Sequence, residues 1–228
     1  TRPLDQVVNA LFAAATVLGG VGTGFGVEWI RNRTEPDYRP TSFGFWLGTD
    51  TLALGATHHA FGSADASIEK LSSWDIGLSA RPWREFSYSV VARDINEPEQ
   101  GEYRLTRSFD VGIGLRPFRE RYTLGADYLF RAGGLDEGRL TYALKAEVVP
   151  GVRLGAGFSH GLRGGEEVVF QLGATLDTSG FGVTYAAGGG EVGMDHVLAV
   201  RLSQASYRSL AVSTGVVEPT RMKVPVSS

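Results

Sequence analysis

The feature that most constrains this chain is alternation with a period of two. Over 21–30, Val21, Thr23, Phe25, Val27 and Trp29 share one parity, and Gly22, Gly24, Gly26 and Glu28 share the other. Over 109–116, Phe109, Val111, Ile113 and Leu115 alternate with Asp110, Gly112, Gly114 and Arg116. The stretches 122–131 and 140–148 repeat the pattern. Successive side chains of an extended strand point to opposite faces, so each segment has one apolar face and one polar or nearly bare face. Segments of this kind, each roughly 8–11 residues, have the length of a tilted bilayer-crossing strand. About thirteen recur, near 11–18, 21–31, 41–48, 51–61, 73–81, 86–94, 106–116, 121–131, 139–148, 152–160, 167–176, 180–187 and 196–204. More than half of the chain is then strand, which is excessive for an ordinary globular domain and natural for a sheet closed on itself.

The connections alternate in length. Short turns fall near Gly19-Gly20, Gly48–Asp50, Pro82–Glu85, Pro117–Glu120, Val149–Gly151 and Asp177–Ser179. Longer polar connections fall near 32–40, 62–72, 95–105, 132–138, 162–166 and 188–195. Such asymmetry places tight turns at one end of a barrel and loops at the other. An internal repeat supports a meander of hairpins: WDIGLSARPWREFSYSV at 74–90 returns as FDVGIGLRPFRERYTLG at 109–125, each a strand, an Arg-Pro-aromatic turn and a second strand.

A soluble barrel buries its apolar face, whereas a membrane barrel turns it to lipid. The second face decides between them. It carries Asp75, Arg81, Arg93, Asp110, Arg116, Asp127, Arg131, Lys145 and Glu147, with Arg153 and Arg201, among many Gly and Ser. Charges of both signs on a Gly-rich face suit a lumen. Aromatic residues gather near strand ends, at Trp29, Trp83, Phe86, Phe118, Tyr122 and Tyr128, as in interfacial girdles. The chain therefore reads as all-β, an antiparallel meander closing into a transmembrane β-barrel of about 12–14 strands with membrane lipid as its partner. The barrel is expected over 1–204, and 205–228 as a C-terminal strand remnant or a linker to a following domain. An odd strand count is unusual, so the expectation is either a further strand upstream or a first segment that does not span.

Composition narrows the rest. At 43% apolar residues the chain is not a helical membrane protein, and a net charge of −3 without basic runs excludes a nucleic-acid partner. With no Cys there are neither disulfides nor thiolate metal sites. Val7–Leu18 is too short for a membrane helix and lacks the basic start and cleavage site of a secretion signal, so the start of the chain is expected to have been removed.

The chemical motifs are weak. Gly157-Phe158-Ser159-His160-Gly161 matches a nucleophile elbow, but that motif needs a strand-to-helix turn and here lies in an alternating strand. Ser67-Ile68-Glu69-Lys70 matches S-x-x-K but reads as a polar loop. His58 and His59 point to opposite faces and cannot share an ion, and His160 and His196 lack companions. Asp136-Glu137 and Glu166-Glu167 read as solvated loops. No catalytic set, cofactor or metal site is expected.

Gly24-x-Gly26-Val27-Glu28-Trp29, the Arg-Pro-aromatic turns and Ala92-Arg93-Asp94-Ile95-Asn96-Glu97-Pro98 resemble the FadL-like and PorV-like superfamily of outer-membrane barrels. Within it the chain is most similar to the barrel region ahead of the peptidase in long signal-peptide-peptidase (protease IV) proteins of Gram-negative bacteria. The resemblance implies a lipid-embedded barrel of about fourteen strands, with a serine peptidase able to follow Ser228. The expected function is a module that anchors or positions a larger envelope protein. The alternatives are a FadL-like passive transporter of small hydrophobic molecules and a soluble β-barrel binding protein.

Overall fold

The computed structural model describes residues 6–18, 20–32, 37–101, 103–117, 121–162, 168–178, 181–190 and 193–202. The 205–228 segment and Phe118 lie outside them. Among the described residues thirteen strands form one sheet. In chain order they are β1 (Gln6–Leu18), β2 (Val21–Asn32), β3 (Tyr38–Gly48), β4 (Leu52–Ser63), β5 (Ser72–Trp83), β6 (Phe86–Arg93), β9 (Ser108–Leu115), β10 (Tyr122–Arg131), β11 (Gly134–Val149), β12 (Val152–Gly161), β13 (Val169–Asp177), β14 (Phe181–Gly190) and β15 (Gly193–Leu202). Between β4 and β5 lies a single helical turn, α1 (Ala66–Glu69), and between β6 and β9 a small separate hairpin of β7 (Glu99–Gln100) and β8 (Tyr103–Arg104).

Every strand of the large sheet pairs with its neighbour in order, and every pair is antiparallel. Because thirteen is odd, β1 and β15 run in the same direction. Among the described residues no ladder joins those two. At ordinary strand spacing and tilt, a ring of this many strands has a backbone diameter of roughly 25 Å.

The two parities separate as the pattern requires. Phe43, Phe45, Leu52, Leu54, Ile113, Leu144, Leu154 and Leu172 lie on one face and are exposed, Leu172 at 68%. In water such a surface would be far beyond the apolar patch a soluble monomer carries. It is the outer face of a membrane barrel, and the soluble alternative does not fit it. An apolar groove of about 780 Å³ on this face, bordered by Leu115, Leu124, Tyr142, Phe158 and Phe170, has the character of a surface wetted by acyl chains.

At the turn end, main-chain bonds stitch each turn to the next. Gly48 N donates to Gly20 O at 2.6 Å, Arg116 N to Glu85 O at 2.7 Å, and Asp177 N to Gly151 O at 2.7 Å. Gly151 holds φ at 85°, in the left-handed region, and Glu147 accepts from its N–H at 3.2 Å. A β-branched residue there is strained whatever space surrounds it. Gly151→Val is expected to cost roughly 1–2 kcal/mol, read as a lower urea midpoint for the barrel in lipid vesicles.

The loop end departs from the sequence expectation. The 62–72 and 95–105 connections are folded segments rather than plain polar loops. Ile68 and Leu71 from the α1 turn and Leu105 from the β8 arm join Ile30, Tyr38 and Phe61 in a buried apolar cluster, with Tyr103 packed against it. Ile30, Tyr38 and Phe61 stand at inner-face positions of β2, β3 and β4. The two connections therefore turn inward and cap that side of the mouth. The S-x-x-K stretch falls largely on α1, and its Ile68 is an anchor of this cap. The 132–138 loop expected between β10 and β11 is also different: β11 begins at Gly134, because Gly133 and Gly134 allow a tight hairpin with a register shift after Leu129. At the start, β1 begins at Gln6, so the 11–18 segment is part of a full-length strand.

Candidate functional site

The inner face is the place where this fold gathers polar chemistry. Its register rows are dominated by small residues. Gly22, Trp46, Gly55 and Gly77 form one row across β2–β5. Ser89, Gly112, Asp127, Thr141 and Ser159 form another across β6 and β9–β12. Gly114, Gly125, Ala143 and Gly157 form a third. Larger groups lie over the bare positions: the Trp46 indole covers Gly22, and the Asp127 carboxylate and Ser89 hydroxyl crowd the place where Gly112 would carry a Cβ.

The sequence-predicted charges take the following positions. Arg93 Nη2 donates to Asp110 Oδ2 at 2.8 Å, between β6 and the neighbouring β9. Lys145 stands opposite Thr123, two inner-face rows from Asp127. Glu147 stands opposite Arg153, and Arg153 pairs with the buried Asp177 carboxylate on β13, a partner the sequence reading did not select. Arg81 and Arg116 lie at the turn end, where their main-chain N–H groups bond to Thr51 and Glu85. Arg131 ends β10 and is exposed at the loop end. Asp75 pairs with His59, at 3.2 Å between Oδ2 and Nε2. The Arg93–Asp110, Arg153–Asp177 and His59–Asp75 pairs join adjacent strands and so lie along the wall rather than across the lumen.

Of the predicted aromatics, Trp29 is exposed on the outer face at the loop end of β2. Trp83, Phe86 and Tyr122 stand at the turn end, Trp83 and Phe86 with ring centroids 5.9 Å apart. His58 faces out and packs on Trp74 at 4.7 Å, while its neighbour His59 faces in. The Gly157–Gly161 stretch runs through β12 as a regular strand.

Two inner-face residues were not selected from the sequence, Ser42 and His59. Ser42 Oγ lies 2.8 Å from His59 Nδ1, and His59 Nε2 is the atom on Asp75. Asp75 Oδ1 in turn accepts from Asp94 N–H at 2.9 Å. Asp94 adopts a φ of 51°, a left-handed conformation that Asp tolerates, as the chain leaves β6 for the cap. Burial pushes the Asp94 carboxyl above the usual carboxylate range.

Among solved structures, a double mutant of a porin from Rh. blastica is similar over 86% of this chain and 88% of that one, with a TM-score of 0.50 and 9% sequence identity. The fold is that of an outer-membrane β-barrel. The likeness is one of architecture, and it accords with the exposed apolar face and the strand meander described above. No family model matches the chain, and no curated protein is similar to it in sequence.

Proposed function

We propose that this chain is an outer-membrane β-barrel of a Gram-negative bacterium whose inner face lines a water-filled passage for small polar solutes. The observation that carries this reading is the placement of the charges. Arg93–Asp110, Arg153–Asp177 and His59–Asp75 pair between neighbouring or near-neighbouring residues of the wall, which leaves the axis to water. Rows of Gly, Ala and Ser widen the bore further. The polar lining favours water-soluble cargo over the hydrophobic cargo that a FadL-like resemblance implies. Reconstituted in planar bilayers, the protein is expected to give steady, voltage-independent steps of conductance. A membrane that stays silent after verified insertion would sink the passage reading.

The cap over the mouth favours a second reading, in which the barrel is a closed anchor that positions a larger envelope protein, such as one with a signal-peptide-peptidase-like domain. That reading predicts the silent membrane.

A further inference from the structure

We propose that Ser42, His59 and Asp75 form a serine hydrolase triad on the inner wall, acting on small carboxylic esters that enter the lumen. The three residues come from three consecutive strands and share the inner face. Ser42 stands directly opposite His59 in the β3–β4 ladder. Asp75 stands opposite Thr57, one inner-face position along β4 from His59. With the imidazole proton on Nε2, the ring donates to Asp75 at 3.2 Å and its bare Nδ1 accepts from the Ser42 hydroxyl at 2.8 Å. This is the nucleophile, base and orienting carboxylate arrangement, recognised by geometry and roles rather than by sequence order.

The carboxylate is itself held. Asp75 spends one oxygen on His59 and the other on the Asp94 N–H, so its plane and the ring that leans on it are both fixed. Asp75 is thus a positioning residue, and Ser42 and His59 are the reacting pair.

There is also room for a substrate. Gly26 is the residue opposite Ser42 on β2, and Gly44 is the next inner-face residue along β3. Neither has a side chain to cover the hydroxyl, and Ser42 is only half-buried. The Thr57 hydroxyl stands beside Gly44, 3.1 Å from where a Cβ would be, and can donate to an oxygen that gains charge over Ser42.

The chemistry closes with water as co-reactant. His59 Nδ1 takes the Ser42 proton as Oγ bonds to the ester carbonyl carbon. The tetrahedral adduct collapses, the carbon–oxygen bond to the alcohol breaks, and the alcohol leaves with the proton from His59. Water then adds to the acyl-Ser42 ester, again giving its proton to His59. The acid departs as the proton returns to Oγ. Asp75 steadies the imidazolium in both halves.

The test is covalent labelling of the folded, vesicle-inserted protein with a fluorophosphonate probe, read by peptide mass spectrometry, alongside hydrolysis of p-nitrophenyl acetate. Wild type is expected to carry the phosphonyl group on Ser42 and to hydrolyse the ester above the level of empty vesicles. Ser42→Ala abolishes both. His59→Gln and Asp75→Asn, checked for folding by circular dichroism, slow the labelling about 100-fold or more. Absence of label on wild-type Ser42 overturns the proposal without recourse to any variant. Labelling that proceeds at the same rate in His59→Gln overturns it as well, since the serine would then be reacting without its base.

Discussion

Leu144→Arg is expected to destabilise the inserted barrel by about 2–4 kcal/mol, whereas Thr141→Arg on the same strand changes stability by less than about 1 kcal/mol. Leu144 lies midway along the outer face of β11 and is exposed. A guanidinium there must enter hydrocarbon or drag water and headgroups toward it. Thr141 has the opposite parity and stands opposite Asp127 and Ser159 on the inner face. An arginine there reaches water and a carboxylate. Urea titration in lipid vesicles, monitored by tryptophan emission, measures both. The contrast is stronger than either value alone, because a barrel with its apolar face inside reverses the order: the Leu144 variant would be neutral and the Thr141 variant damaging.

A second large effect is expected from Leu105→Asp. Leu105 is 4% exposed and packs with Ile30, Tyr38, Phe61, Ile68 and Leu71. A carboxylate in that cluster has no described partner of opposite charge, and burying it unpaired costs several kcal/mol, so the segment is released instead. The strand ladders beneath do not depend on it. Single-channel conductance is expected to rise about two- to threefold as the open cross-section grows, since pore diameter governs passage. Amide exchange over 94–107 is expected to quicken while the wall strands keep their protection. Unchanged conductance together with faster exchange would place the narrowest point of the lumen elsewhere.

Different parts of this molecule were legible to different degrees. The wall was open to reading because alternation is a physical consequence of strand geometry. Phe109, Val111, Ile113 and Leu115 declare their face wherever the sheet goes. The repeated hairpins were equally plain, since Pro82 and Pro117 sit where a ladder can spare an N–H. The cap was not, because a helix of four residues and strands of two have no period to detect. The hint was the isolated Ile68, Leu71 and Leu105 in otherwise polar connections. The Ser42–His59 pair was within reach of register alone. Once the turn sets Gly48 opposite Ala53, Ser42 falls opposite His59. The bond from Asp94 to Asp75 was out of reach, as it depends on a left-handed residue at the exit of β6 that no pattern announces.

The odd strand count among the described residues has a consequence for a ring in which its first and last strands meet. If β1 and β15 are the strands that meet, they meet pointing the same way, and the closing junction is a parallel one. Parallel ladders bond on a slant and are slightly weaker per residue than the antiparallel pairs that make up the rest of the wall. A circle built in this way has a seam, one rung unlike all the others. Strain from a bilayer too thick or too thin for the strands, or a pull on the chain, is relieved first at that rung, where the bore is separated from the surrounding lipid by the least binding.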